Sequence, residues 1–144
     1  MRGIGGINPD WGVTLVRVMT GLVFAVHGFQ KFAGGLGGVT AFFTKLAIPL
    51  PGVMAPLIAG LELIGGILLI LGVGTRVVAA LFTAQMLVAT LWVQIPRGGW
   101  NGSELERMLL VAALLLVVGG PGAAALDKFW CERQDAGRDA TRRT

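Results

Sequence analysis

The stretch "WGVTLVRVMTGLVFAVHGFQKF", residues 11–32, is long and apolar enough to cross a bilayer, yet it carries Arg17, His27 and Lys31. A spanning helix needs roughly 20 mostly apolar residues, and Asn8-Pro9-Asp10 just before this run is a helix-start signal. Turning 100° per residue from Arg17 places Gly21, Phe24 and Gly28 close to it, with Thr20, His27 and Lys31 a little further round. All fall on one stripe about 120° wide, and Val and Leu fill the remaining face. Such a stripe must face protein, because lipid cannot satisfy its polar groups.

The composition supports a membrane setting. Hydrophobic residues make up 54% of the 144-residue chain, charged residues only 14%, and the mean hydropathy is +0.74. A soluble domain needs about 25% charged residues to face water. The net charge of +4 would suggest nucleic acid in a soluble chain. Here the tail arginines Arg133, Arg138, Arg142 and Arg143 suit anionic lipid headgroups, and no nucleic-acid motif accompanies them. The single cysteine, Cys131, excludes an intramolecular disulfide and any cysteine metal cluster. The N-terminus has no basic run ahead of its apolar stretch, so residue 1 reads as the start of the working protein.

Three further spans are expected. One runs over about 51–71 and stops at Gly72-Val73-Gly74. Another opens after Thr75, as its N-cap, and runs over about 76–95, where Pro96 and Gly98-Gly99 end it. The fourth, over about 104–120, follows the capping-box pattern Ser103-Glu104-Leu105-Glu106 and is short unless Ala123 to Leu126 continue it. The expected fold is all-α: an integral membrane four-helix bundle forming one domain over residues 1–130, with a disordered basic tail at 131–144. Lys and Arg flank the spans so as to place both termini in the cytoplasm, and Trp11, Trp92, Trp100 and Trp130 fall near span ends. In the first outer loop, Val39, Phe42, Phe43 and Leu46 at helical spacing predict a short helix lying in the interface. The two halves show no repeat of the transporter kind.

The second span centres Glu62 among Ala55, Ala59, Gly65 and Gly66, small residues that admit a neighbouring helix. Gln85 in the third span lies at a similar depth. Arg17 is roughly 9 Å from the cytoplasmic end and Glu62 about 15 Å, a difference that a long arginine covers. Two clusters are therefore expected: Arg17–Glu62–Gln85 deep inside, and His27–Lys31–Glu106 near the outer surface. Each has a structural reading as well. The Arg–Glu pair would fix helix assembly, His27 and Gln85 would be interhelical hydrogen-bonding residues, and Lys31 and Arg107 snorkelling anchors. Asn101-Gly102-Ser103 reads as turn chemistry although it matches a glycosylation sequon, and "GGLGG" at 34–38 is a loop with no strand before it.

One histidine cannot supply both axial ligands of a haem, so a bis-histidine haem would require a homodimer. No metal-ligand spacing and no Ser/His/Asp set is present. Redox chemistry would then need a diffusible cofactor such as a quinone. Arg17, His27, Gln85 or Lys31 would donate to its carbonyls, and Glu62 would move the accompanying proton.

The segments "LVRVMTGLVFAVHGFQKF", "GLELIGGILLILGVGTRVVA", "NGSELERMLLV" and "GPGAAALDKFW" resemble the DoxX-like family of small four-helix membrane proteins. The resemblance covers residues 11 to 130. It implies the four-helix fold and directs attention to Arg17, His27, Lys31 and Glu62, with Glu104 and Glu106 matching less closely. The family includes a subunit of an archaeal thiosulfate:quinone oxidoreductase, and other members are associated with membrane redox or sulfur-stress assemblies. The expectation is a subunit of a redox-linked membrane complex with a quinone pocket. The alternatives are a non-catalytic accessory subunit of a larger respiratory or photosynthetic complex, and a small transporter or proton path. Expected partners are the lipid bilayer and other membrane subunits or further copies of the chain.

Overall fold

The computed structural model describes residues 8–98 and 104–127. The expectations for Trp100, Trp130, the Asn101–Ser103 turn, the Ser103 capping box, Cys131 and the 131–144 tail lie outside those residues. Within them the chain is all-helical, with no strand. Helix α1 spans Asp10–Ala33, α2 Leu36–Lys45 and α3 Pro51–Leu71. Helix α4 spans Thr75–Val88 and passes through a π-helical segment, Ala89–Gln94, into the short α5, Ile95–Gly98. Helix α6 covers Glu104–Gly119.

Three helices are long and apolar enough to cross a membrane, by length and composition: Asp10–Ala33, Pro51–Leu71 and Thr75–Arg97. Their outward faces are apolar, with Leu15, Leu22 and Phe29 on α1, Ile64 and Ile67 on α3 and Val77 and Leu91 on the third helix all exposed. The short helix expected in the first loop is α2, whose following residue Leu46 is buried.

Helix α1 packs chiefly on α3, and α4 on α6. The α1–α3 pair is antiparallel, since Gly21 lies against Gly66 and Ile70 while Gly28 lies against Ala59 and Leu63. The two contacts are seven residues apart, two turns of each helix, and small residues at that spacing let the backbones meet. A Cβ on Gly28 would collide with the Leu63 backbone, and one on Gly66 with Ala25. The two pairs join through Phe24 and Phe82, whose rings stack with centroids 3.7 Å apart and an interplanar angle of 7°. Leu69, Val78, Ala79, Met86, Leu109, Ala113 and Leu116 pack into the same core.

Two boundaries differ from the sequence expectation. The third helix does not stop before Pro96. Pro96 has no N–H for the preceding turn and its ring crowds the carbonyl four residues back, and the π-helical turn just before it changes the bonding register, Ile95 donating to the Thr90 carbonyl. Ala123 to Leu126 do not extend α6 as one continuous helix. The chain reverses at Gly120 and Gly122, both at positive φ, and folds back across the N-terminal end of α1.

Candidate functional site

Two buried polar centres lie at different depths, and the first surrounds Glu62, which is 4% exposed. Its Oε2 accepts from Lys31 Nζ in an ion pair, and its Oε1 accepts from Gln85 Nε2 at 2.5 Å. Both carboxylate oxygens are thereby engaged, from α1 on one side and α4 on the other. Lys31 also lines an open cleft of about 390 Å³, shared with His27, Gln30, Gly34, Gly35, Gly38 and Val39. His27 is half-buried at this cleft. One lysine thus joins the open cleft to the buried carboxylate.

The second centre is Arg17, 2% exposed. Its Nη1 donates to the Pro121 carbonyl, and its Nη2 to the carbonyls of Ala124 at 2.5 Å and Ile70 at 3.5 Å. Around it the Thr14 hydroxyl accepts from Ala123 and Ala124 N–H while donating to the Asp10 carbonyl. Asp127 then closes the same end. Its carboxylate accepts from Gly74 N–H at 2.8 Å and Thr75 N–H at 3.0 Å, and its own N–H donates to the Gly72 carbonyl. The segment after α6 is therefore a clasp binding α1, α3 and α4 together.

The expected clusters are regrouped. Glu62 and Gln85 do meet, but Lys31 takes the place expected for Arg17. Helical side chains lean toward their own N-terminus. In antiparallel α1 and α3, Arg17 therefore leans away from Glu62, whereas Lys31 and Glu62 lean toward each other. His27 and Lys31 share the cleft without Glu106, whose Oε1 instead accepts from Gln94 Nε2 at 2.7 Å. Lys31 is an ion-pair partner, not a free snorkelling anchor. Thr75 is the first helical residue of α4 and not its cap, since the capping carboxylate comes from Asp127.

The DoxX family model matches residues 12–95. The chain belongs to the DoxX family. Among DoxX relatives, a Bacillus subtilis (strain 168) protein named "Putative oxidoreductase CatD" is 39% identical, covering 82% of this chain and 86% of its own. The "Inner membrane protein YqjF" of Escherichia coli (strain K12) is 34% identical over 83% of this chain and 92% of its own. The "Uncharacterized membrane protein Rv3486" of Mycobacterium tuberculosis (strain ATCC 25618 / H37Rv) is 29% identical over 92% and 95%. No solved structure matches the chain.

This DoxX membrane protein also holds features that sequence reasoning missed. The sequence offers residues 121–127 as part of the closing "GPGAAALDKFW" motif and 123–126 as a possible end of the fourth span, whereas they supply the acceptors for Arg17 and the cap of α4. The reversal was signalled by that motif, a Gly-Pro-Gly turn, whereas the helix that Asp127 caps was not. At the C-terminal end of α2, Trp92 Nε1 donates to the Leu46 carbonyl at 3.4 Å, and Arg97 lies 5.5 Å over the Phe42 ring. Those contacts tie the helix beside the cleft to the end of the third helix.

Proposed function

We propose that this DoxX chain is an integral membrane subunit of a redox-linked complex, and that the His27–Lys31 cleft takes a quinone headgroup. The observation that carries the reading is the double duty of Lys31, which lines the cleft and is ion-paired to buried Glu62. The name of the Bacillus subtilis relative, an oxidoreductase by designation, points the same way. The residues present fit such a group: an imidazole and an ammonium supply donors, Val39 supplies an apolar wall, and the cleft is open. A bound quinone supplies two-electron, two-proton chemistry. Lys31 donates to a carbonyl in the cleft, Glu62 holds or releases a proton at its carboxylate oxygens, and Gln85 Nε2 fixes the orientation of Glu62.

In the bilayer, α1, α3, the third helix and α6 act as four spans of one domain. Helix α6, at 16 described residues, is about 24 Å long, and its exposed Met108, Val111 and Val118 suit lipid. An even number of spans, with the Lys and Arg distribution, puts both termini in the cytoplasm, and α2 then lies in the outer interface. An accessory role is the second reading. It is favoured by the full pairing of Glu62 and by the clasp around Arg17, both of which hold helices together without any ligand.

Mild-detergent isolation of the wild type and of His27→Leu, with mass spectrometry of co-migrating proteins and extracted quinones, separates the two. The redox reading expects quinone in near-stoichiometric amount with the wild type and its loss from His27→Leu at unchanged protein level. A quinone-free complex whose assembly falls in the variant would overturn it in favour of the accessory role.

A further inference from the structure

The stretch "GGLGG" at 34–38 reads as a loop from its sequence, yet residues 36–38 form the first turn of α2. Little secures that turn. Its N-cap is Gly35, at φ 84°, and no side chain caps it. The first N–H groups of a helix lack partners within the helix, so an uncapped start unwinds most easily. Gly37 and Gly38 follow inside the turn, where glycine favours the unwound chain. The glycines of the α1–α3 seam are there for packing, since an added Cβ would meet backbone. Gly37 and Gly38 have no such reason, because nothing lies within 4 Å of a Cβ added to either.

The opposite end of α2 is fastened. Leu46 is buried, its carbonyl accepts from Trp92 Nε1, and Arg97 lies over Phe42. Ile48 N–H donates to the Phe43 carbonyl at 3.1 Å and Ala47 N–H to the Thr44 carbonyl at 3.0 Å. With Ala47 at positive φ, those two bonds close the helix as a Schellman motif. On the preceding side, Gly34 N–H donates to the Gln30 carbonyl at 2.8 Å and ends α1. The loosely wound turn is therefore held between two fixed points. It is also a wall of the cleft, lined by Gly35, Gly38 and Val39 together with His27 and Lys31 of α1.

We infer that residues 36–39 are a gate on the His27–Lys31 cleft, moving on the μs–ms timescale. Wound, as in this structure, the turn leaves the cleft open. Four residues span about 6 Å as helix and about 13 Å when extended. Unwinding between two fixed ends thus releases chain length, and the space around Gly35, Gly37 and Gly38 leaves room for it. The released chain swings Leu36, a large apolar side chain between two glycine pairs, over the cleft mouth. Burying Leu36 there offsets the lost turn. The gate governs entry of any occupant, so it stands apart from the quinone reading.

The test is NMR relaxation dispersion on the full chain in nanodiscs with no quinone added, which reads exchange on that timescale. The inference expects one common rate constant at the Gly38 and Val39 amides and the His27 imidazole. Flat profiles are expected at Phe43 and Leu46, on the fastened side. Gly37→Ala, at a position outside the cleft lining and clear of other helices, should lower the unwound population about two- to fivefold, the helix preference of alanine over glycine. Exchange at Gly38 without exchange at His27 would overturn the inference, since the turn would then fray and close nothing. So would flat profiles throughout the turn, or an unwound population unchanged in Gly37→Ala. The wild-type profiles require no variant to fold, and quinone binding can fail without altering any of them.

Discussion

Lys31 and Glu62 form an ion pair across antiparallel helices, reached because each side chain leans toward its own helix N-terminus and so toward the other. The lysine thereby turns inward from the end of α1, keeping one face on the cleft. Removing one member of such a pair strands the other charge, whereas removing both does not. Lys31→Met is expected to cost about 3 kcal/mol, at the low end for a buried pair because the Lys31 side chain is 26% exposed. The double variant Lys31→Met/Glu62→Gln should recover most of that loss. Thermal unfolding in detergent or nanodiscs checks both.

The α1–α3 seam makes a sharper steric prediction. A Cβ on Gly28 meets the backbone of Leu63 and Ala59, which cannot rotate aside. Gly28→Ala should therefore push the helices apart and destabilise by about 1–3 kcal/mol. Gly60, on the same α3, has nothing within 4 Å of an added Cβ. Gly60→Ala should be neutral or stabilising by up to about 1 kcal/mol. Equal effects of the two substitutions on the melting temperature would contradict this packing.

Arg17 holds the segment after α6 with a planar fork that reaches two carbonyls of one turn. A lysine offers a single point of charge and cannot reproduce that fork. Arg17→Lys should lose roughly 2 kcal/mol and speed proteolytic cleavage within residues 120–127. Cleavage there at the wild-type rate would show that the clasp does not depend on the guanidinium.

Asp127 caps α4 from 53 residues away in sequence. Asp127→Ala should cost about 1 kcal/mol, as loss of an N-cap does. It should raise amide exchange first at Gly74 and Thr75, the two donors it serves. Hydrogen exchange read residue by residue tests this.

Much of this arrangement is legible in the residue order, and the parts that are not share a cause. The polar stripe of α1, the small-residue face around Glu62 and the helix over the first loop follow from 100° periodicity alone. Periodicity gives the face of a helix and not the direction of lean along its axis. Depth arithmetic thus joins Arg17 to Glu62, although their side chains diverge. The Asp127 cap escapes for a different reason, since local capping rules look only a few residues away. The π-helical turn before Pro96 arises from accommodating a proline inside a helix, where local rules expect a stop. Gln94 and Glu106 come together only once α4 and α6 have packed.

The claim that the His27–Lys31 cleft receives a quinone is tested most directly by photolabelling. The full chain in native-lipid nanodiscs is irradiated with a photoreactive quinone analogue, and the modified residues are mapped by mass spectrometry. The account predicts labelling concentrated over residues 27–39, suppressed by excess unmodified quinone and reduced in His27→Leu. Labelling spread along the lipid-facing residues of all helices, with no suppression by competitor, would contradict it.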